Sequence, residues 1–310
     1  MLYGLRSDYS RVNDYVIEML SHVGLTSCTY AAGGRLRFAS SSPVIKVKIT
    51  LGSCNPLGPM TVWGAAGCDV YIDGEFIGVY GPSDFGILEY EFSFKNTGEQ
   101  IQINLPIAAQ VTHTKVECDD IRPAKDYTIK KPVVFYGSSI TNGIAASRPG
   151  NTYPAILSRR LDCDYYNYGM AGSCRGEVRF AEYICENHDM SMLLIGYDHN
   201  ALNVEELEER HERFFKTVRK YHPELPVLIM SKPDLFNDHV NNSLRRDVIY
   251  RTYSNAQREG DKNVYFLDGA WMYNKPIPEM TADGLHPHDE TFVRFADILE
   301  PIIRRLIVTE

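Results

Sequence analysis

The chain has 310 residues, of which 23% are charged and 44% hydrophobic, and its formal net charge is −8. That is long enough for two domains with full cores, and too apolar for a disordered chain. Basic residues cluster no more densely than pairs such as Arg159-Arg160 and Arg304-Arg305, which argues against nucleic acid or an anionic membrane surface as the main partner.

No apolar run approaches the roughly 18 residues that a membrane span needs. The first residues lack a charged-then-apolar leader pattern, which points to a cytoplasmic protein. Seven cysteines, at 28, 54, 68, 118, 163, 174 and 185, make an odd set with no Cys-x-x-Cys spacing, as expected of buried or free thiols in a reducing compartment. Residues 10–21 form an amphipathic helical pattern with Val12, Tyr15, Val16, Met19 and Leu20 on one face.

From residue 34 to about 118 the pattern turns to strands: 35–38, 44–49, 70–72, 88–94, 101–105 and 111–116, separated by turn signals such as Asp73-Gly74 and Asn96-Thr97-Gly98. Short strands at this spacing predict an all-β sandwich or jelly roll. The polar stretch 119–131 is read as a linker, with the domain boundary at 125/126. Beyond it strands at 132–136, 164–168, 190–195, 226–231 and 264–267 alternate with helices at about 151–161, 176–187, 204–221, 241–259 and 289–307. Such alternation gives right-handed βαβ units and a three-layer α/β/α sandwich on a parallel sheet.

Functional groups in parallel sheets sit on the loops beyond the carboxyl ends of the strands, and four such loops carry chemistry. Gly137-Ser138-Ser139 follows the first strand and offers a serine on a tight turn at a helix start. Gly169 to Ser173 follows the second, where a glycine lets a backbone amide turn into a cleft. After the third comes Gly196-Tyr197-Asp198-His199-Asn200. Asn200 can donate through its amide, whereas an ionised Asp198 cannot. Near the C-terminus Asp283 and His286, three apart, let the carboxylate accept from one imidazole nitrogen and leave the other free as a base. His288 and Asp289 stand close by, but no further ligand set with plausible spacing supports a metal site.

Taken together, the four loops resemble the SGNH (GDSL-type) hydrolase family. Gly137-Ser138-Ser139-Ile140-Thr141 is similar to the family's first block, with Ser139 at the nucleophile position. Gly172 matches the second-block glycine, Asn200 the third-block asparagine and Asp283-Gly-Leu-His286 the last block. Residues 146–154 (Ala-Ser-Arg-Pro-Gly-Asn-Thr-Tyr-Pro) resemble one branch whose members carry an N-terminal β-domain with a Gly-x-Asp-Leu-Tyr motif; here Gly67-Cys68-Asp69-Val70-Tyr71 fits it with Val for Leu. Two departures stand out. Ser138 replaces the aspartate that usually precedes the nucleophile, and Asp198 stands two after Gly196 where asparagine is usual. Either the asparagine role moves to Asn200 or that half of the oxyanion hole is degraded.

The resemblance implies a flavodoxin-like fold and covalent acyl transfer by Ser139, His286 and Asp283. The oxyanion would be held by the amides of Ser139 and Gly172 and the side chain of Asn200, and no metal or organic cofactor is required. It also implies O-acyl esters as substrates, often short acyl groups on carbohydrates, and therefore a small-molecule or glycan partner. Arg148, Tyr153 and Arg175 lie on loops near the expected site and are candidates for substrate contact. The alternatives are an acyltransferase with the same triad, or a non-catalytic carbohydrate-binding protein on a degenerate hydrolase scaffold.

Overall fold

The computed structural model describes residues 1–18, 20, 27–234 and 238–307. Eight strands make the N-terminal sandwich: β1 (Leu2–Tyr3), β2 (Arg35–Ala39), β3 (Val44–Cys54), β4 (Cys68–Ile72), β5 (Glu75–Tyr80), β6 (Glu89–Lys95), β7 (Gln100–Asn104) and β8 (Ala109–Glu117). They form two antiparallel sheets, β1-β2-β7-β4-β5 and β6-β3-β8. The alternation in β3 shows why: Ile45, Val47, Ile49 and Leu51 are buried between the sheets, while Val44 and Lys46 face outward. Strand β5 escaped the sequence reading because it is a half-buried edge strand interrupted by Gly78, although its turn, Asp73-Gly74, was legible.

The predicted helix at 10–21 is a single turn, α1 (Asp14–Ile17), and part of that stretch lies outside the described residues. Val12, Val16 and Leu20 are buried, but Tyr15 is 47% exposed and meets Arg179 instead of the core. A second short helix, α2 (Val62–Ala66), follows β3. The stretch read as a linker is partly ordered into sheet: Arg122 bridges to Ala39, and the first strand of the second half already begins at Ile129.

That half contains five parallel strands, β9 (Ile129–Gly137), β10 (Cys163–Gly169), β11 (Met192–Gly196), β12 (Val227–Met230) and β13 (Val264–Leu267), in the order β10-β9-β11-β12-β13. Between and after them run α3 (Ser139–Asn142), α4 (Tyr153–Leu161), α5 (Val178–Asn187), α6 (Val204–Tyr221), α7 (His239–Arg258), α8 (Ile277–Met280) and α9 (Asp289–Leu306). Side chains alternate across the sheet. Val134 and Tyr136 meet α5, α6 and α7 on one face; Val133 and Phe135 meet α4 and α9 on the other. Strand order reverses between β9 and β11, which opens the crevice where such sheets bind ligands.

The two halves share one core. Met60, Ala65, Ile107 and Ala108 from the sandwich side pack with Ile140, Ile144 and Ala146 beside the crevice. Among the described residues no helix is long and apolar enough to cross a membrane.

Candidate active site

Strand β9 delivers its chain straight into α3. Ser138 has extended backbone and caps the helix, its Oγ accepting from the amide of Ile140 at 3.2 Å. The serine that replaces the usual aspartate therefore still supplies the side-chain oxygen that a helix start needs. Ser139 is the first helical residue, and the backbone N–H at that position has no acceptor within its own helix. It is largely buried, with 9% of its surface exposed.

The loop between α8 and α9 brings the opposite half. Asp283 Oδ1 accepts from the backbone amides of Leu285 and His286, at 3.0 and 2.7 Å, which fixes the carboxylate before it meets any side chain. Its Oδ2 lies 2.7 Å from His286 Nδ1, and His286 Nε2 lies 2.9 Å from Ser139 Oγ. A carboxylate can only accept, so Nδ1 carries the proton and Nε2 is left to accept from the serine hydroxyl. Burial pushes the Asp283 carboxyl up, but the amide and imidazole of His286 outweigh it and hold it below its ordinary value. The arrangement is a charged carboxylate, an imidazole and a hydroxyl joined in one chain of hydrogen bonds.

The second loop, 170–174, turns at Gly172, whose φ of 65° lies in the left-handed region that side chains with a Cβ resist. Three contacts hold it. Asn200 donates through Nδ2 to the carbonyls of Met170 and Cys174, at 2.9 and 3.3 Å, and Arg175 donates to the carbonyl of Gly172 at 3.2 Å. Both hydrogens of the Asn200 amide are thus engaged with the glycine loop. Asp198 faces the other way. Its Oδ1 accepts from Arg245 Nε at 2.8 Å and its Oδ2 from the amide of Lys232 at 3.1 Å, and the pair is almost wholly buried.

A serine, histidine and aspartate in relay beside a turned glycine loop, all at the carboxyl edge of a parallel sheet, can perform acyl transfer. The profile of the GDSL-like lipase/acylhydrolase family matches residues 130–304. The chain belongs to that family. Residues 3–121 match the N-terminal domain of SGNH-type esterases, so the chain is an SGNH-type esterase with both parts. Among curated proteins no relative matches it.

Solved structures agree over most or all of the chain. A protein described as a GDSL-like lipase from Bacteroides ovatus ATCC 8483 is 26% identical and superposes with a TM-score of 0.87, covering 100% of this chain and 97% of its own. The salicylyl-acyltransferase SsfX3 from a tetracycline biosynthetic pathway is 17% identical, with a TM-score of 0.82 over 99% of this chain and 94% of its own. A family two carbohydrate esterase from Clostridium thermocellum, solved with cellohexaose, is 13% identical, with a TM-score of 0.65 over 88% and 91%.

In this esterase the three residues expected to contact substrate each have partners within the protein. Arg148 Nη1 donates to Asp69 Oδ2 at 2.6 Å and also to Tyr71 Oη, and Asp69 Oδ2 further accepts from the amide of Gly150 at 2.8 Å. The Asp and Tyr of the N-terminal motif thus clamp the 148–150 segment, which places Arg148 at the domain junction. Tyr153 is fully buried and shares a 2.9 Å hydrogen bond with Thr141, which closes it to solvent. Arg175 braces the Gly172 loop as described. His288 and Asp289 are equally engaged: His288 Nε2 meets the carbonyl of Glu279 at 2.7 Å, and Asp289 accepts from the amide of Ser147 at 2.9 Å. Among the described residues no three His, Cys, Asp or Glu side chains cluster as a metal site requires.

Sequence reasoning passed over the loops after β12 and β13. They bring Lys232, Asp234, Trp271 and Tyr273 to the same edge of the sheet, with His199 from the loop after β11. The signal was available, because every loop beyond a strand's carboxyl end is a candidate. Burial pushes the Asp234 carboxyl up, but His199 and Lys232 outweigh it and bring it down to about 2. Trp271 is 70% exposed, and Leu202 and Leu285 on neighbouring loops are also exposed.

Proposed function

We propose that this esterase cleaves short-chain O-acyl esters, with carbohydrate esters as the favoured class, through a covalent acyl-serine. The observation that carries the proposal is the relay from Asp283 Oδ2 to His286 Nδ1 at 2.7 Å and from His286 Nε2 to Ser139 Oγ at 2.9 Å. Ser139 Oγ attacks the ester carbonyl while its proton passes to His286 Nε2, and Asp283 stabilises the imidazolium that forms. The tetrahedral oxyanion is held by the backbone amides of Ser139 and Gly172, each worth about 3 kcal/mol in such a site. Asn200 supports it by holding the glycine loop.

Collapse breaks the carbon–oxygen bond of the alcohol, which takes the proton from His286. Water then repeats the sequence and releases the acid. The exposed Trp271, on the loop after β13, offers a flat face for a sugar ring at the same edge of the sheet. A glycan substrate is favoured because several of the structural relatives are carbohydrate esterases.

The test is turnover of p-nitrophenyl acetate and butyrate by wild type and Ser139→Ala, with mass-spectrometric detection of a serine-directed phosphonate adduct. Wild-type turnover, a silent variant and an adduct on Ser139 are expected. Neither turnover nor adduct in the wild type would leave a binding protein on a hydrolase scaffold. Faster product formation when an alcohol is added would favour acyl transfer to that alcohol over hydrolysis.

A further inference from the structure

The loop from β3 to α2 of the N-terminal domain reaches the pair on which the proposed reaction depends. Gly58 sits there with φ of 59°, in the left-handed region. A Cβ built on it would lie 3.0 Å from Asp283 Oδ2 and 3.6 Å from His286 Nδ1, the two atoms of one hydrogen bond. The backbone of residue 58 therefore lies beside that bond, and a Cβ there would press on the carboxylate while only touching the ring.

The loop is held on both sides of this contact. The carbonyl of Asn55 accepts from Tyr30 Oη at 3.0 Å, and the amide of Asn55 donates to the carbonyl of Ala108 at 3.3 Å. Met60 is buried in the core that also contains Ile140 and Ile144, and Leu57 packs against it. Thr61 caps α2, accepting from the amide of Gly64 at 3.0 Å. Pro56 and Pro59 flank Gly58 and restrict the backbone there.

We propose that Gly58 is a positioning residue for the esterase: the N-terminal domain covers the Asp283–His286 hydrogen bond, keeps water from competing for Oδ2 on that side and holds the imidazole toward Ser139. This rests on the Ser139–His286–Asp283 mechanism. It gives the sandwich domain a part in the chemistry itself. The side chain of Asp283 remains 28% exposed and that of His286 13%, so the cover closes one side and leaves another open.

The experiment compares Gly58→Ala and Gly58→Asn with Gly74→Ala. Gly74, in the β4–β5 turn, has φ of 88° and nothing within 4 Å of its Cβ position, so it reports backbone strain alone. Asparagine tolerates left-handed backbone better than alanine, so Gly58→Asn keeps the test open if Gly58→Ala folds poorly. Both Gly58 variants should lose about tenfold to a hundredfold in kcat on p-nitrophenyl acetate, the scale of a small misplacement of reacting groups, with KM little changed. The acid limb of their kcat/KM profile should move to lower pH, because a weakened carboxylate contact stabilises the imidazolium less. Gly74→Ala should keep wild-type kcat and pH profile.

A folded Gly58→Asn with wild-type kcat and an unmoved pH profile overturns the proposal. If wild-type protein neither turns over ester nor takes the phosphonate, the esterase mechanism itself fails, and the His286 ring is followed by proton NMR instead. A titration curve that differs between wild type and Gly58→Asn supports the cover, and superimposable curves overturn it.

Discussion

Two carboxylate–imidazole pairs stand at the same edge of the same sheet, and they differ in what surrounds them. Asp283 and His286 come from one tight loop. The carboxylate is fixed by two backbone amides before it accepts from the ring, and the second ring nitrogen faces a serine. His199 and Asp234 come from different loops. Their closest atoms are 3.1 Å apart but outside hydrogen-bond alignment, and Lys232 Nζ lies 3.5 Å from the same carboxylate oxygen. Residue type and location are shared. A base needs a carboxylate that holds one nitrogen and a nucleophile at the other, and only the first pair has both.

The comparison breaks most sharply at the serine. Ser139→Ala should lower kcat/KM by about 10⁴-fold or more, measured on nitrophenyl esters with the fold checked by circular dichroism. Asp283→Asn should come next, at about 10³- to 10⁴-fold, because an amide can present a donor to Nδ1 and stabilise the wrong tautomer. Asn200→Ala removes both hydrogen bonds to the glycine loop and should cost about tenfold to a hundredfold in kcat, with little change in KM. His199→Asn should leave kcat within about twofold of wild type, since it changes a group outside the relay. A large loss there would make the second pair part of the reaction.

Acid sharpens the same contrast. Asp283 lies below its ordinary value, so mild acid leaves the carboxylate charged and its hydrogen bond to Nδ1 in place. Stability should fall as the pH drops. Burial pushes His188 and His211 down to about 4, so between about 6.5 and 4 the unfolded chain binds protons that the folded chain refuses, and folding weakens as pH drops. Asp234, down at about 2, adds a further loss below the ordinary carboxylate range. Urea midpoints at pH 7, 5 and 4 check the sign; a midpoint that rises on acidification would contradict it. At the junction, Asp69→Ala leaves Arg148 without its carboxylate and should cost about 3 kcal/mol in a denaturation series.

Much of this was legible along the chain. The five parallel strands and their long helices follow from apolar runs and 3.6-residue periodicity, as in α6, where Leu207, His211, Phe214, Phe215 and Val218 share the buried face. The Asp283-x-x-His286 geometry is nearly local, because the loop closes on its own amides. Ser139 was placed by the motif around it. Arg148 and Tyr153 were not legible: a charged residue and a tyrosine beside a site look alike whether they face a ligand, a second domain or a core.

By itself, then, the sequence determined the succession of elements, the turn that presents Ser139 and the loop that pairs Asp283 with His286. Each of these depends on residues within a few positions of one another. Tertiary structure alone decided that Asp69 and Tyr71 capture Arg148, that Asn200 ties down the Gly172 loop and that Gly58 comes beside Asp283 and His286. Those contacts join segments far apart in the chain. What brings them together is the burial of a core shared by both domains, which no local pattern records.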